Sequence, residues 1–344
     1  MSQLLESEAT FEGHFIGFLY RQWLIHRKPI PKGTTIAGQT AIVTGSNSGL
    51  GFEAARQLLQ LGLEHLIMGV RSQTRGNVAA DKLRKEFPDS TVSVWIVDME
   101  SYDSIVAFAK RCEGLPRLDI AILNAGIRCN DFTTVQATGH EKTFQVNYLS
   151  TVLLAILLLP ILRSKKLSSS SSFPPRLSIV TSDTSYWADP LKTGPVLPQF
   201  DIPEEFKSMR SYPRSKLLQL YFVSKLGEYV KAADVIVNAS NPGFCKGTQF
   251  GDGAVMSFIA KLRFWLFQTL NGRTVEDGAS AVIDGAVIKG KESHGGYVSD
   301  WGIRPYPKVM YTKEGQEIRE RLWEETMEEF NFVSASRIVE EMKK

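Results

Sequence analysis

Seven short runs of β-branched and aliphatic residues punctuate this chain: Thr40 to Val43, His65 to Val70, Thr91 to Val97, Ile120 to Leu123, Leu177 to Thr181, Val235 to Asn238, and Gly296 to Ser299. Helical patterns lie between them, and each gap is long enough for a helix and two loops. Consecutive strands joined by such crossovers run parallel, and a parallel sheet is covered on both faces, so its strands are apolar throughout. The expected class is α/β, a single Rossmann-type doubly wound domain on a seven-stranded parallel sheet. With 344 residues, 43% of them hydrophobic, the chain has ample material for one large core.

The domain is expected over residues 38–330, with a helical lid at about 245–275, an N-terminal helical extension over 1–37 and a C-terminal tail over 331–344. In the extension Phe11, Phe15, Leu19 and Trp23 recur every fourth residue beside Arg21, Arg27 and Lys28. Such a face packs on the core by default; walling a pocket or peripheral contact with a membrane surface are the alternatives. The apolar run Thr151 to Leu162 is too short to span a bilayer and reads as a buried helix ending around Pro160. Leu167 to Pro175, with five consecutive serines, reads as a solvated loop. A formal net charge of +3 excludes nucleic acid as the expected partner. Cys112, Cys129 and Cys245 lack disulfide or metal spacing, and no secretory pattern opens the chain. A cytoplasmic location, peripheral to a membrane if the N-terminal face binds one, is expected.

Directly after the first strand comes Thr44-Gly45-Ser46-Asn47-Ser48-Gly49-Leu50-Gly51, followed by a helical pattern. Gly45 suits a tight turn, Gly49 the approach of backbone to a pyrophosphate, and Gly51 close helix packing, while the helix N-terminus offers unpaired N–H groups. The second strand ends Gly69-Val70-Arg71-Ser72. A carboxylate there would bind a ribose 2′-hydroxyl, whereas an arginine accommodates a 2′-phosphate. Arg71, with Arg75 behind it, therefore favours NADP(H).

Further along stand Asp98 after the third strand, Asn124-Ala125-Gly126 after the fourth, then Asn147, Ser182, Tyr212 to Lys216, and Pro242-Gly243. In this order and at these strand ends, the set resembles the short-chain dehydrogenase/reductase family over about residues 38–330, especially its retinol-dehydrogenase-like branch. The resemblance implies that Asp98 lies near the adenine, Asn124 and Gly126 along the cofactor floor, and Pro242-Gly243 beside the nicotinamide. It also implies that Lys216 holds the nicotinamide ribose and that Asn147 completes a water-linked proton route. Asp98 as a helix cap and Asn147 as a backbone-satisfying polar residue are the plainer alternatives.

Tyr-x-x-x-Lys occurs twice, from Tyr212 to Lys216 and from Tyr221 to Lys225. Nine residues apart, the tyrosines face opposite sides of one helix. Pro213 belongs near a helix start, which places Tyr212 beside the carboxyl ends of the strands, and the thirty residues from Tyr212 to Pro242 match the family spacing. Tyr221, among Leu217, Leu218, Leu220, Phe222 and Val223, reads as packing. Tyr212 is then the proton donor to a carbonyl accepting hydride, with Lys216 one turn away lowering its pKa and Ser182 sharing charge on the substrate oxygen. Thr181 and Ser185 are reserves for the hydroxyl role. Thr248 sits one residue later than the family's usual threonine, and Cys245 reads as an apolar wall.

The apolar segment Val255 to Leu270 implies a lipophilic small-molecule substrate. Arg21-Gln22-Trp23 and Asn241 to Cys245 look like fungal reductases of secondary metabolism. The expected activity is NADPH-dependent interconversion of a ketone or aldehyde and an alcohol on a polyketide- or terpenoid-type molecule, with a retinoid- or steroid-type alcohol as runner-up. The resemblance also implies a homodimer. A sugar-nucleotide epimerase or dehydratase fits less well, because its turn runs Gly-x-x-Gly-x-x-Gly; a non-catalytic NADP-binding protein would not need four catalytic residue types.

Overall fold

A computed structural model describes residues 1–165, 174–246 and 258–344, with the side chains of 258–264 excluded. The serine run and Thr248 lie outside the described residues.

The strands are β1 Thr40–Thr44, β2 His65–Val70, β3 Thr91–Ile96, β4 Ile120–Leu123, β5 Arg176–Val180, β6 Ile236–Asn241, β7 Gly296–Ser299 and β8 Gly302–Arg304. They form one sheet in the order β3-β2-β1-β4-β5-β6-β7-β8, parallel except for β7 with β8. The seven expected strands are present, and the sheet carries an eighth. Asp300 and Trp301, both at positive φ, turn the chain back after β7, so a three-residue antiparallel strand closes that edge. Its half-buried pattern lacks the continuous burial of the inner strands β1, β4, β5 and β6.

The helices are α1 Phe15–Leu24, α2 Gly49–Gln60, α3 Gln73–Glu86, α4 Tyr102–Glu113, α5 Lys142–Ser164, α6 Ser208–Tyr229, α7 Phe258–Asn271, α8 Val275–Ile283, α9 Lys313–Glu329 and α10 Ala335–Glu341. Two apolar cores flank the sheet. One joins it to α4, α5, α6, α9 and α10, the other to α2, α3 and α8. Helix α5 is the described helix long and apolar enough to cross a membrane, and 89% of its apolar window is buried inside the fold. It passes through Pro160 and ends at Ser164, later than expected; burial of the surrounding leucines offsets the one missing backbone hydrogen bond.

Both termini depart from expectation. The C-terminal residues form α10, whose Ala335 and Val339 are buried with Met342 against the core, so that segment is no tail. At the other end Ser2 Oγ accepts from Tyr297 N at 2.8 Å, binding the chain start to β7. Helix α1 buries Gly17, Phe18 and Arg21, whereas Phe11, Phe15 and Trp23 point outward. The aromatic stripe expected to pack on the core is thus the exposed side. The cause is Arg21, whose charge is drawn inward by Glu12 and by Asp183 and Asp300, both distant in sequence.

Candidate active site

Ligands of doubly wound sheets bind beyond the carboxyl ends of the strands, where strand order reverses. Here that point lies between β1 and β4, and the expected residues gather around it.

Gly45 makes the turn after β1 at φ +66°, a conformation that L side chains avoid. At Gly51 a Cβ would stand 2.5 Å from Asn124 Nδ2 and deep within contact of the Gly45 carbonyl. Gly49, by contrast, faces open space. The turn therefore presents a cradle at the start of α2, with the buried Ser46 hydroxyl lacking a partner among the described residues. Such a cradle fits a pyrophosphate. Asn124 serves it from behind: its Nδ2 donates to the Thr44 carbonyl at 3.0 Å, and Thr44 Oγ1 accepts from the Asn124 and Ala125 N–H groups at 3.0 Å each. Its amide is committed to bracing the turn.

Arg71 stands at the end of β2, mostly exposed, with Nη1 2.6 Å from Glu100 Oε1. Lys142 takes the other oxygen of Glu100 at 2.9 Å. Ser72 accepts the Arg75 N–H as a helix cap, and the Arg75 side chain is exposed. Asp98 Oδ1 accepts from Glu100 N at 3.0 Å, a local turn role akin to the cap offered as its alternative.

Tyr212 is the fifth residue of α6, and Pro213 follows it within the first turns. Its phenol hydrogen-bonds the Ser182 side chain. Ser182 lies two residues beyond β5 and caps the short turn that follows, its Oγ accepting from Thr184 N at 3.3 Å. The long Ser182–Tyr212 interval does not part the two groups. Thr181 holds no catalytic place: its Oγ1 donates to the Lys216 carbonyl at 3.1 Å, fastening α6 to β5. The Ser185 hydroxyl is buried and without a partner among the described residues. Tyr221 is buried in the core, as its neighbours imply.

Asn147 lies in a π-helical stretch of α5, Gln145–Ser150. Its Oδ1 accepts from Ile127 N at 2.8 Å, and its Nδ2 donates to Ser215 Oγ at 3.0 Å, which in turn donates to the Tyr212 carbonyl at 2.7 Å. Gly126 leaves room for this, since a Cβ there would meet Asn147 Oδ1 at 3.2 Å and Lys216 Nζ at 3.6 Å. Gly243, at φ +75°, follows Pro242 and donates to Asn241 Oδ1 at 3.1 Å.

Lys216 Nζ lies 5.7 Å from the centre of the Tyr212 ring and donates to the Val180 carbonyl at 2.9 Å. Burial lowers its pKa to about 7. Burial also raises that of Tyr212, with the Ser182 hydrogen bond and the Arg128 charge pulling the other way. The groups that act on the phenol are thus burial, Ser182 and Arg128, while the Lys216 ammonium is engaged by the Val180 carbonyl.

Two groups carry no signal that the sequence reading used. Gln219, fully buried, touches both Lys216 and Asn147. Its position three residues after Lys216, on the same helix face, is the signal that could have found it. The other is a buried ionic cluster in which Arg21 reaches Glu12, Asp183 and Asp300, while Arg273 pairs with Asp300 and Arg304 with Glu12. Its members are scattered from residue 12 to residue 304, so no local pattern announces it.

A doubly wound sheet with a glycine cradle and a Ser–Tyr–Lys constellation at its carboxyl edge defines a nucleotide-dependent oxidoreductase. Residues 39–169 match the family model described as short chain dehydrogenase. The chain is 56% identical to the short chain dehydrogenase virL of Hypocrea virens, over all of both chains. It is 49% identical to the short chain dehydrogenase/reductase mfmJ of Annulohypoxylon moriforme, covering 91% of this chain and 90% of that one. Among solved structures, a short chain dehydrogenase from Shigella flexneri complexed with NADP superposes at TM-score 0.55 with 17% identity, covering 79% of this chain and all of that one. A Sphingobium yanoikuyae short-chain dehydrogenase in complex with NADPH gives 0.53 with 20% identity, over 72% and 84%. The chain belongs to the short-chain dehydrogenase/reductase family, resembling fungal secondary-metabolite reductases.

Proposed function

We propose that this protein interconverts a ketone or aldehyde and an alcohol on a lipophilic small molecule, of polyketide or terpenoid type, using NADP(H). The observation that carries the reading is the joining of Ser182, Tyr212 and Lys216 beside the glycine cradle. The turn Gly45 to Gly51 would hold the pyrophosphate, Arg71 a 2′-phosphate, Asp98 the adenine side, and Gly126 with Pro242-Gly243 the nicotinamide side. The residues that end β2, Gly69 to Ser72, include no carboxylate, and two of the structural relatives were solved with NADP or NADPH.

When bound, the nicotinamide supplies or accepts the hydride. In reduction, the carbonyl carbon gains that hydride, and the oxygen takes the proton from Tyr212 Oη; oxidation reverses both transfers. Ser182 Oγ donates a hydrogen bond to the same oxygen, stabilising charge as it develops. Lys216 stands behind the phenol ring, and Asn147 with Ser215 anchors the helix carrying the pair. The test is product analysis with NADPH and a panel of lipophilic ketones and aldehydes. Tyr212→Phe should cut turnover by about 10²–10⁴-fold, the usual worth of a positioned proton donor; undiminished turnover sinks the mechanism.

A peripheral membrane contact, in a reducing cytoplasmic compartment, is the companion reading, favoured by the outward aromatic face. Phe11, Phe15, Ile16 and Trp23 are exposed, and Phe15 lies 6.4 Å from Phe267 of α7, whose Trp265 and Leu270 are exposed as well. Lys28 and Lys32 follow in the chain, both exposed, with Lys28 Nζ donating to the Trp301 carbonyl at 3.0 Å. This combination suits a lipid surface from which an apolar substrate would enter. The protein should float with anionic phospholipid vesicles, and replacing Phe11, Phe15 and Trp23 together by serine should abolish flotation. Wild-type protein that stays at the bottom removes the reading.

A further inference from the structure

Gln219 projects from α6 between the two residues on which the proton chemistry depends. Its Nε2 donates to the Asn147 carbonyl at 2.6 Å, and its Oε1 accepts from Lys216 Nζ at 3.3 Å. The Asn147 carbonyl that takes this bond lies within the π-helical turn of Gln145–Ser150, where the regular i→i−4 pattern is interrupted. The amide's orientation is fixed from both ends: reversing it would set oxygen against the Asn147 carbonyl and NH₂ against the ammonium. Gln219, Asn147 and Lys216 are all buried, so each of these bonds replaces what water would otherwise supply.

We propose that Gln219 is a positioning residue that bridges Lys216 to the Asn147 carbonyl and closes the inner end of the proton-transfer pair. The proposal rests on the oxidoreductase reading for its purpose, but its geometry stands without it. A water in that place could accept one proton and release another. A carboxamide accepts at oxygen and donates at nitrogen, and passing a proton between them would require a high-energy tautomer. The bridge therefore holds the ammonium while ending the hydrogen-bonded path at α5. Protons for Lys216 and Tyr212 must be exchanged on the open side, where Ser182 stands. The other groups facing the pair are the Val180 carbonyl from β5, Tyr212 on the same helix, Arg128 from the loop after β4, and the Asn147 side chain near Gly126. Among the described residues no carboxylate is paired with Lys216, and burial alone accounts for its lowered pKa.

The test titrates Lys216 directly, by NMR of isotope-labelled lysine side chains in the full chain, with Lys216→Met assigning the signal. Gln219→Glu places an anion against the ammonium and should raise the Lys216 midpoint by about one unit or more. Gln219→Leu removes the acceptor and should lower it. The pH profiles of turnover should move in the same order, with kcat affected more than KM. Equal Lys216 midpoints in the three proteins overturn the proposal, as does a Gln219→Glu midpoint at or below wild type. Should the leucine variant not fold, the near-isosteric Glu variant decides alone. If the midpoints shift as stated while wild-type protein turns over no carbonyl or alcohol with either nicotinamide, the bridge stands and the enzymatic reading fails. With active wild type, an inactive Tyr212→Phe variant and unmoved midpoints, the enzymatic reading stands and the bridge fails.

Discussion

Replacing Arg21 by methionine keeps most of the side-chain volume and removes one charge from the ionic cluster. Arg21 is 1% exposed, with Nε 3.3 Å from Asp300 Oδ2, Nη2 3.5 Å from Asp183 Oδ1, and Nη1 bonded to both the carboxylate and the carbonyl of Glu12. The cluster is balanced as it stands, with Arg21, Arg273 and Arg304 facing Glu12, Asp183 and Asp300. Without Arg21 it holds a net buried negative charge, and breaking a buried pair from one side costs about 3–5 kcal/mol. An unfolding entropy of about 2.1 cal/mol/K per residue gives roughly 0.7 kcal/mol/K for a chain of this length, so Tm should fall by about 4–7 °C. Thermal unfolding followed by circular dichroism reads this directly. Asp300→Asn should couple to Arg21→Met by more than about 1 kcal/mol in a double-mutant cycle. Because Asp183 adjoins Ser182, turnover should drop too, although Arg21 touches no reacting group. A Tm change under about 1 °C would refute the account, since a docked and balanced cluster cannot lose its central charge without cost.

Gly51→Ala puts a methyl group against the Gly45 carbonyl and Asn124 Nδ2, and should weaken nicotinamide cofactor binding about 10–100-fold in a fluorescence titration, as overpacking costs about 1–3 kcal/mol; unchanged affinity would show that the turn holds no phosphate. Arg71→Ala should reduce the preference for NADPH over NADH by about tenfold or more in kcat/KM, since a charge-assisted hydrogen bond contributes about 1.5–3 kcal/mol; equal affinity for both cofactors before and after counts against a 2′-phosphate site. His140 is partly desolvated, which lowers its pKa, but Asp201 at 2.7 Å and Glu329 at 3.4 Å prevail and raise it to about 9. A folded pKa above the unfolded value contributes stability present below about pH 6.5 and lost as pH rises through about 9. His140→Asn should therefore lose up to about 3 kcal/mol at pH near 6 and little at pH near 10, and a Tm difference independent of pH would contradict the ion pairs.

The parts legible in the sequence share a property: each is specified by neighbours in the chain. The strands announce themselves because parallel strands covered on both faces are rich in β-branched and aliphatic residues, and the glycine cradle because turn, helix start and close packing fall within eight residues. Tyr212 is separable from Tyr221 by helix geometry, Pro213 and the interval to Pro242. β8 is not legible, since three half-buried residues at a sheet edge carry no pattern of their own. The direction of α1 runs against its pattern for a related reason. An aromatic stripe at helical spacing signals burial only when no stronger force competes, and here the opposite face carries Arg21, which Glu12 and the distant Asp183 and Asp300 draw into the fold. The same limit applies to acidity. Lys216 near Tyr212 in sequence suggests a lowered phenol pKa, yet the outcome depends on where the ammonium points, and Val180 and Gln219 direct it toward the sheet and α5. The groups that pull the Tyr212 pKa downward are Ser182 and Arg128. Side-chain direction is what decides these contacts, and spacing along a helix constrains it but does not determine it.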